Sequence, residues 1–202
     1  MKLIRFISMK IFYFLALIFY LQSIAIAEDI RDFQIDGMTT GESLLNFFSK
    51  TEINESLKNP FYYPKSKNMM IISLYPSDSS TYERYDIHIK KDDINYVIYS
   101  IKGLVKISFD ECLKKKNSVA SEIENIFLSS ETKDYIDNYG NAYGDSEANI
   151  TDFILTNGRV RVWCAKWDQN NELVKSYNWW DSLNVNMSSE EQMDFITNEA
   201  YK

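Results

Sequence analysis

The chain has few of the residues that most often carry chemistry. It holds one histidine, His88, and two cysteines, Cys112 and Cys164, in 202 residues. Any imidazole-based triad must use His88, which sits beside Asp86 and Lys90 on the polar side of an alternating strand and reads as a solvated residue. The absence of a C-x-x-C excludes a thioredoxin-like redox motif. Nucleophilic serine chemistry and nucleotide binding have no motif behind them, because neither a G-x-S-x-G elbow nor a Gly-rich phosphate loop occurs. A zinc site would need carboxylates converging from distant parts of the chain. The oxygen-rich stretch Asp137–Asp145 fails the EF-hand frame, with Tyr139 third, Ala142 sixth and Ala148 twelfth, and leaves an irregular calcium loop as the alternative. No catalytic, cofactor-binding or metal-ligating residue is therefore assigned.

Long hydrophobic runs are confined to the start. Lys2, Arg5 and Lys10 precede an uncharged apolar run, Ile11 to Leu21, and Ala25-Ile26-Ala27 supplies small residues before Glu28. That is the three-part pattern of a cleaved secretory signal spanning 1–27. A membrane span is the alternative, but Gln22 and Ser23 interrupt it. Cleavage leaves 175 residues, 28–202, enough for one domain with a sizeable core. It also takes the formal charge from −7 to −10. So acidic a surface repels phosphate backbones, which argues against nucleic acid as a partner. Past Ala27 no apolar run is long enough to span a bilayer, so no stable membrane insertion is expected after cleavage. Lysine outnumbers arginine 17 to 5, as AT-rich codons produce, and a bacterial periplasm or the medium is the expected destination. In an oxidising compartment Cys112 and Cys164 are expected to pair; two buried thiols are the alternative.

Four Ser/Thr-x-x-Glu pairs have capping-box spacing: Thr39/Glu42, Ser49/Glu52, Ser108/Glu111 and Ser188/Glu191. Each precedes a helical apolar pattern, the longest over 109–127, where Lys114, Lys115 and Lys116 read as a solvated face. Strands are expected at 69–74, 83–91 and 95–107, and a second group starts at Asn157-Gly158. That dipeptide predicts a type I′ turn pairing Thr156 with Arg159, Phe153 with Val162 and Thr151 with Cys164. A third strand is expected over about 172–185, and 132–149 reads as a surface loop. The fold class is α+β: antiparallel β-meanders with helices packed on one face, in loosely duplicated helix-plus-meander units. Cys112 on the helix stripe and Cys164 on the apolar strand face then look into one interior.

Trp163, Trp167, Trp179 and Trp180 all fall in the second strand group. Cross-strand packing accounts for such density; if exposed, the cluster marks an interaction surface.

The run Asp36-Gly37-Met38-Thr39-Thr40-Gly41-Glu42-Ser43-Leu44-Leu45, with the later Cys112 to Lys116 helix, resembles a family of exported proteins of this size from AT-rich bacteria. That resemblance implies export and no activity. The Gly-Met helix start is also similar at fold level to the small lipoprotein of the outer-membrane barrel-assembly machine, whose lipid-bearing Cys has no counterpart here. The expected function is a periplasmic or secreted domain that binds a protein or small-molecule ligand without catalysis. The competing reading is a glycoside hydrolase using a carboxylate pair beside the aromatic strands.

Overall fold

The computed structural model describes residues 29–76 and 80–202. The expected signal segment, 1–27, lies outside them. Among the described residues no helix is long and apolar enough to cross a membrane.

The first half of the chain supplies β1 (Phe61–Tyr62), β2 (Met69–Leu74), β3 (Arg84–Lys90) and β4 (Ser100–Lys106). The second supplies β5 (Glu131–Asn138), β6 (Glu147–Leu155), β7 (Gly158–Lys166) and β8 (Ser182–Ser189). All eight form one antiparallel sheet in the order β1-β2-β3-β4-β8-β7-β6-β5. Each half runs inward from an edge, so the two last strands, β4 and β8, pair at the centre. A helix precedes each half: α1 (Lys50–Ser56) and α2 (Phe109–Ile126). Helix α3 (Glu172–Ser176) joins β7 to β8, and α4 (Glu190–Phe195) runs into a π-helical turn, Ile196–Ala200. The chain thus forms the expected α+β fold of duplicated helix-plus-meander units.

One row of side chains shows how the core is made. Ile72, Ile87, Ile101, Met187, Val160 and Phe153 are consecutive cross-strand partners from β2 to β6. All six are buried, because a strand's period of two turns every second residue toward the helices. Helix α2 packs on β6, β7 and β8 from this side. Cys112 and Cys164 join it covalently to β7, with Cα atoms 5.7 Å apart. Helix α1 starts at a complete capping box, the Ser49 side chain accepting from Glu52 N and the Glu52 carboxylate accepting from Ser49 N. Helix α4 and the turn after it depart from one-sided packing: Phe195 and Ala200 meet Tyr63 and Met69 on the opposite face.

Several expectations are corrected. Segment 132–149 is no loop: β5, a 3-10 turn (Asn141–Tyr143) and the start of β6 occupy it. Every β5 residue is exposed, so no alternation marks the strand. The β6–β7 hairpin is two residues out of the expected register, with Leu155 opposite Gly158, Phe153 opposite Val160 and Thr151 opposite Val162. Neither Asn157 nor Gly158 has positive φ. Asn157 instead ties the hairpin down, its Oδ1 accepting from Ile30 N (3.0 Å) and its carbonyl from Glu190 N (3.0 Å). Gly158 is required by close approach, since a Cβ there would lie 2.6 Å from the Ser188 carbonyl oxygen. A slip of two preserves the faces, so Phe153, Thr151, Val160 and Val162 are buried on the expected side.

The strand expected over 172–185 begins only at Ser182. Before it, the Asn171 side chain accepts from both Leu173 N and Val174 N and caps α3, while Asn178, at φ 51°, turns the chain out of it. The last helix is capped by Ser189 rather than Ser188. The Thr39/Glu42 pair makes half a box, Thr39 N donating to Glu42 Oε2 (3.2 Å), ahead of a 3-10 turn capped by Ser43. Lys116 is not solvated: it lies one turn from Cys112 on the buried stripe, with Nζ donating to Thr151 Oγ1 at 2.9 Å.

Candidate functional site

One residue along each strand from the core row, the other face carries a second row. Ser73, Asp86, Lys102, Asn186, Arg161, Asp152 and Lys133 are consecutive partners across seven strands. The charges run symmetrically about Asn186, with a cation on each side and a carboxylate beyond each cation. Lys102 Nζ stands 2.6 Å from Asp86 Oδ2, and Asp86 also accepts from Ser73 Oγ (2.7 Å) and Arg84 Nη2 (3.1 Å). Arg161 grips Asp152 bidentately, at 2.6 and 2.7 Å, and donates to the Tyr135 hydroxyl at 2.6 Å. Burial pushes both carboxyls up, but Lys102 and Arg84 at Asp86, and Arg161 and Arg159 at Asp152, outweigh it and leave both below the usual range. Asn186 is itself satisfied, its Nδ2 donating to Ser100 Oγ (2.8 Å) and its Oδ1 accepting from Ser188 Oγ (2.9 Å).

Two clefts open over this row. The first, of about 570 Å³, is lined at one end by Trp163, Trp167, Trp179 and Trp180. These are all the tryptophans of the chain, and none lies in the buried core. Trp163 belongs to β7; the others stand on the segments flanking α3. Their rings form a chain of contacts: Tyr139 stacks on Trp167 (centroids 4.5 Å apart), Trp167 meets Trp179 (4.4 Å), and Tyr177 stacks on Trp179 (4.9 Å). Backbone ties hold the wall in place, with Asp181 Oδ1 accepting from Trp167 N (2.9 Å) and Gln169 Nε2 donating to the carbonyls of Trp167 (3.3 Å) and Trp179 (3.1 Å). Lys106 Nζ lies 5.4 Å from the centre of the Trp180 ring.

The second cleft, of about 600 Å³, lies between the sheet and the C-terminal segment beginning at α4. The two share Ile71, Asp86, Lys102 and Trp163, so together they make one groove along the open face. His88 faces the second cleft and corrects the expectation of a solvated residue. The Gln192 side-chain amide donates to His88 Nδ1 (2.8 Å), and His88 Nε2 lies 3.4 Å from the Tyr63 hydroxyl. Burial, with the Lys102 charge, pushes its pKa down to about 4, so the ring is neutral at pH 7.

The residues of Asp137–Asp145 are distributed between the end of β5 and the 3-10 turn. Among the described residues no group of three His, Cys, Asp or Glu side chains gathers as a metal site would require. The tryptophans stand out in the sequence, but the central cations do not. Arg84, Lys102, Arg159 and Arg161 showed only as the polar half of each alternation, and their convergence depends on the pairing of β4 with β8.

No protein-family model, curated protein or solved structure matches this chain.

Proposed function

We propose that the protein is an exported, non-catalytic binding domain that takes a protein or small-molecule ligand in the groove on the open face of its sheet. The observation that carries this reading is the gathering of all four tryptophans at one cleft, outside the core. Large aromatic and arginine side chains held by a rigid scaffold are the usual anchors of recognition surfaces. The export half rests on the leader pattern of 1–27 and on a disulfide of the kind that persists in oxidising compartments.

The hydrolase reading draws less support from the groove. A glycosidase sets two carboxyl groups across its cleft. Among the described residues Asp86 is the one carboxylate lining either half, and Lys102 and Arg84 hold it ionised. Tryptophan fluorescence tests the proposal, because every fluorophore of this class lines the groove. Titrating neutral oligosaccharides, short peptides and organic acids should give a saturable change with at least one class, and the ligand should be recovered unaltered. Cleavage of a ligand that is abolished by Asp86→Asn would overturn the reading, as would the absence of a saturable change with every class.

A further inference from the structure

The two halves of the groove differ in chemistry, and the second is an excess of positive charge inside an acidic protein. Lys102, Arg159 and Arg161 line it against one carboxylate, Asp86. Asp86 is already engaged by Lys102 and Arg84. Asp152 underlies both arginines, but Arg161 holds it bidentately and Tyr135 also donates to it, at 3.0 Å. Arg159 is left short of acceptors. Among the described residues its guanidinium comes no nearer than 3.7 Å to the same Asp152 oxygen, and its buried Nε–H finds no hydrogen-bond partner. A buried donor left unmatched is uncommon in folded proteins and costs free energy, more so when it is charged. Hydroxyl and amide groups of Ser100, Ser188 and Asn186 stand in the same floor, and the neutral His88 adds no positive charge.

The opposite wall is largely apolar, formed by Tyr63, Met193, Ile196 and Tyr201. A ligand matching both walls has an anionic head and an apolar body. The rest of the surface limits its length: the chain carries a net charge of −7, so a long polyanion leaving the cleft would be repelled. We propose that this half of the groove is a receptor for a small organic oxyanion, a carboxylate or phosphate on an apolar body, gripped by Arg159 with Arg161 and Lys102. The proposal rests on the groove being a binding site and names its ligand class.

The test uses phenyl phosphate and phenylacetate as probes, with benzyl alcohol as the uncharged control. The readout is the ¹⁵N spectrum of the exported protein, including arginine Nε–H and tryptophan indole signals. At least one anion should shift the Arg159 and Arg161 signals saturably, and whichever of the two binds more tightly identifies the preferred head group. Benzyl alcohol should leave them in place. Arg159→Gln should weaken binding at least tenfold with the fold intact, because Asp152 keeps Arg161. Lys102→Gln, which leaves Asp86 with Arg84, should weaken it likewise. Silent arginine signals, or unchanged affinity in both variants, would overturn the oxyanion site. If the indole signals of Trp167 and Trp179 respond while the arginines stay silent, the oxyanion proposal fails and the binding groove stands. Silence of both sets toward all three probes overturns the oxyanion site and also counts against the groove.

Discussion

His88 is held neutral by its surroundings, and that has a direct consequence for stability. Its ordinary value is 6.5, and burial with the Lys102 charge brings it to about 4 in the folded protein, Asp86 pulling weakly the other way. Between those values the unfolded chain binds a proton that the folded one refuses, so stability falls as pH drops from 6.5 toward 4. Above 6.5 the contribution is complete. The shift corresponds to at most about 3 kcal/mol. The carboxylates with depressed values, Asp36, Asp86 and Asp152 among them, lose their share only below the ordinary carboxylate range, so the two effects separate on the pH axis. Urea unfolding of the wild type should show a lower midpoint at pH 5 than at pH 7, and His88→Asn should remove most of that difference. An equal pH dependence in the variant would mean that other groups carry it.

At the scale of elements, the Cys112–Cys164 bridge fixes the longest helix to the middle of the second meander across 52 residues of sequence. The chain-entropy model assigns such a loop about 4 kcal/mol. Reduction, or the paired change Cys112→Ala with Cys164→Ala, should lower the free energy of unfolding toward that amount. The intact mass of exported material should begin at Glu28 and rise by two hydrogens on reduction. A mass that includes residues 1–27, or free thiols in the native protein, would contradict the exported, bridged form. Elements were legible in the sequence where burial alternates or caps are simple. Strand β3 alternates buried and half-buried residues from end to end, and α1 begins at a full Ser49/Glu52 box. Strand β5 was not legible, because an edge strand exposed on every residue has no period to read. Over α3 the sequence suggests a strand, because Leu173, Tyr177, Trp179 and Leu183 would share one strand face, whereas the decisive signal is Asn171 capping two amides at once. The covering of His88 was invisible for another reason: Gln192 is 104 residues away in sequence.

The described residues form two meanders joined edge to edge, with the helices ahead of each packed on one side and, among these residues, the other side left largely open. That arrangement explains how a polar row can cross seven strands one residue away from a buried apolar one. It also explains why the groove could not be read from any one segment. Its floor comes from strands of both halves, its aromatic wall from the segments around α3, and its apolar wall from the C-terminal residues that cross to this face. We propose that this groove, and not the helical side, is where the protein meets its ligand. The most direct test follows the four indole N–H signals and the backbone amides of α2 in one ¹⁵N spectrum during titration with any ligand that binds. Saturable shifts are expected at one or more of Trp163, Trp167, Trp179 and Trp180, with the exposed Lys114 and Lys115 amides unmoved; shifts confined to α2 with all four indoles unchanged would place the ligand on the helical side instead.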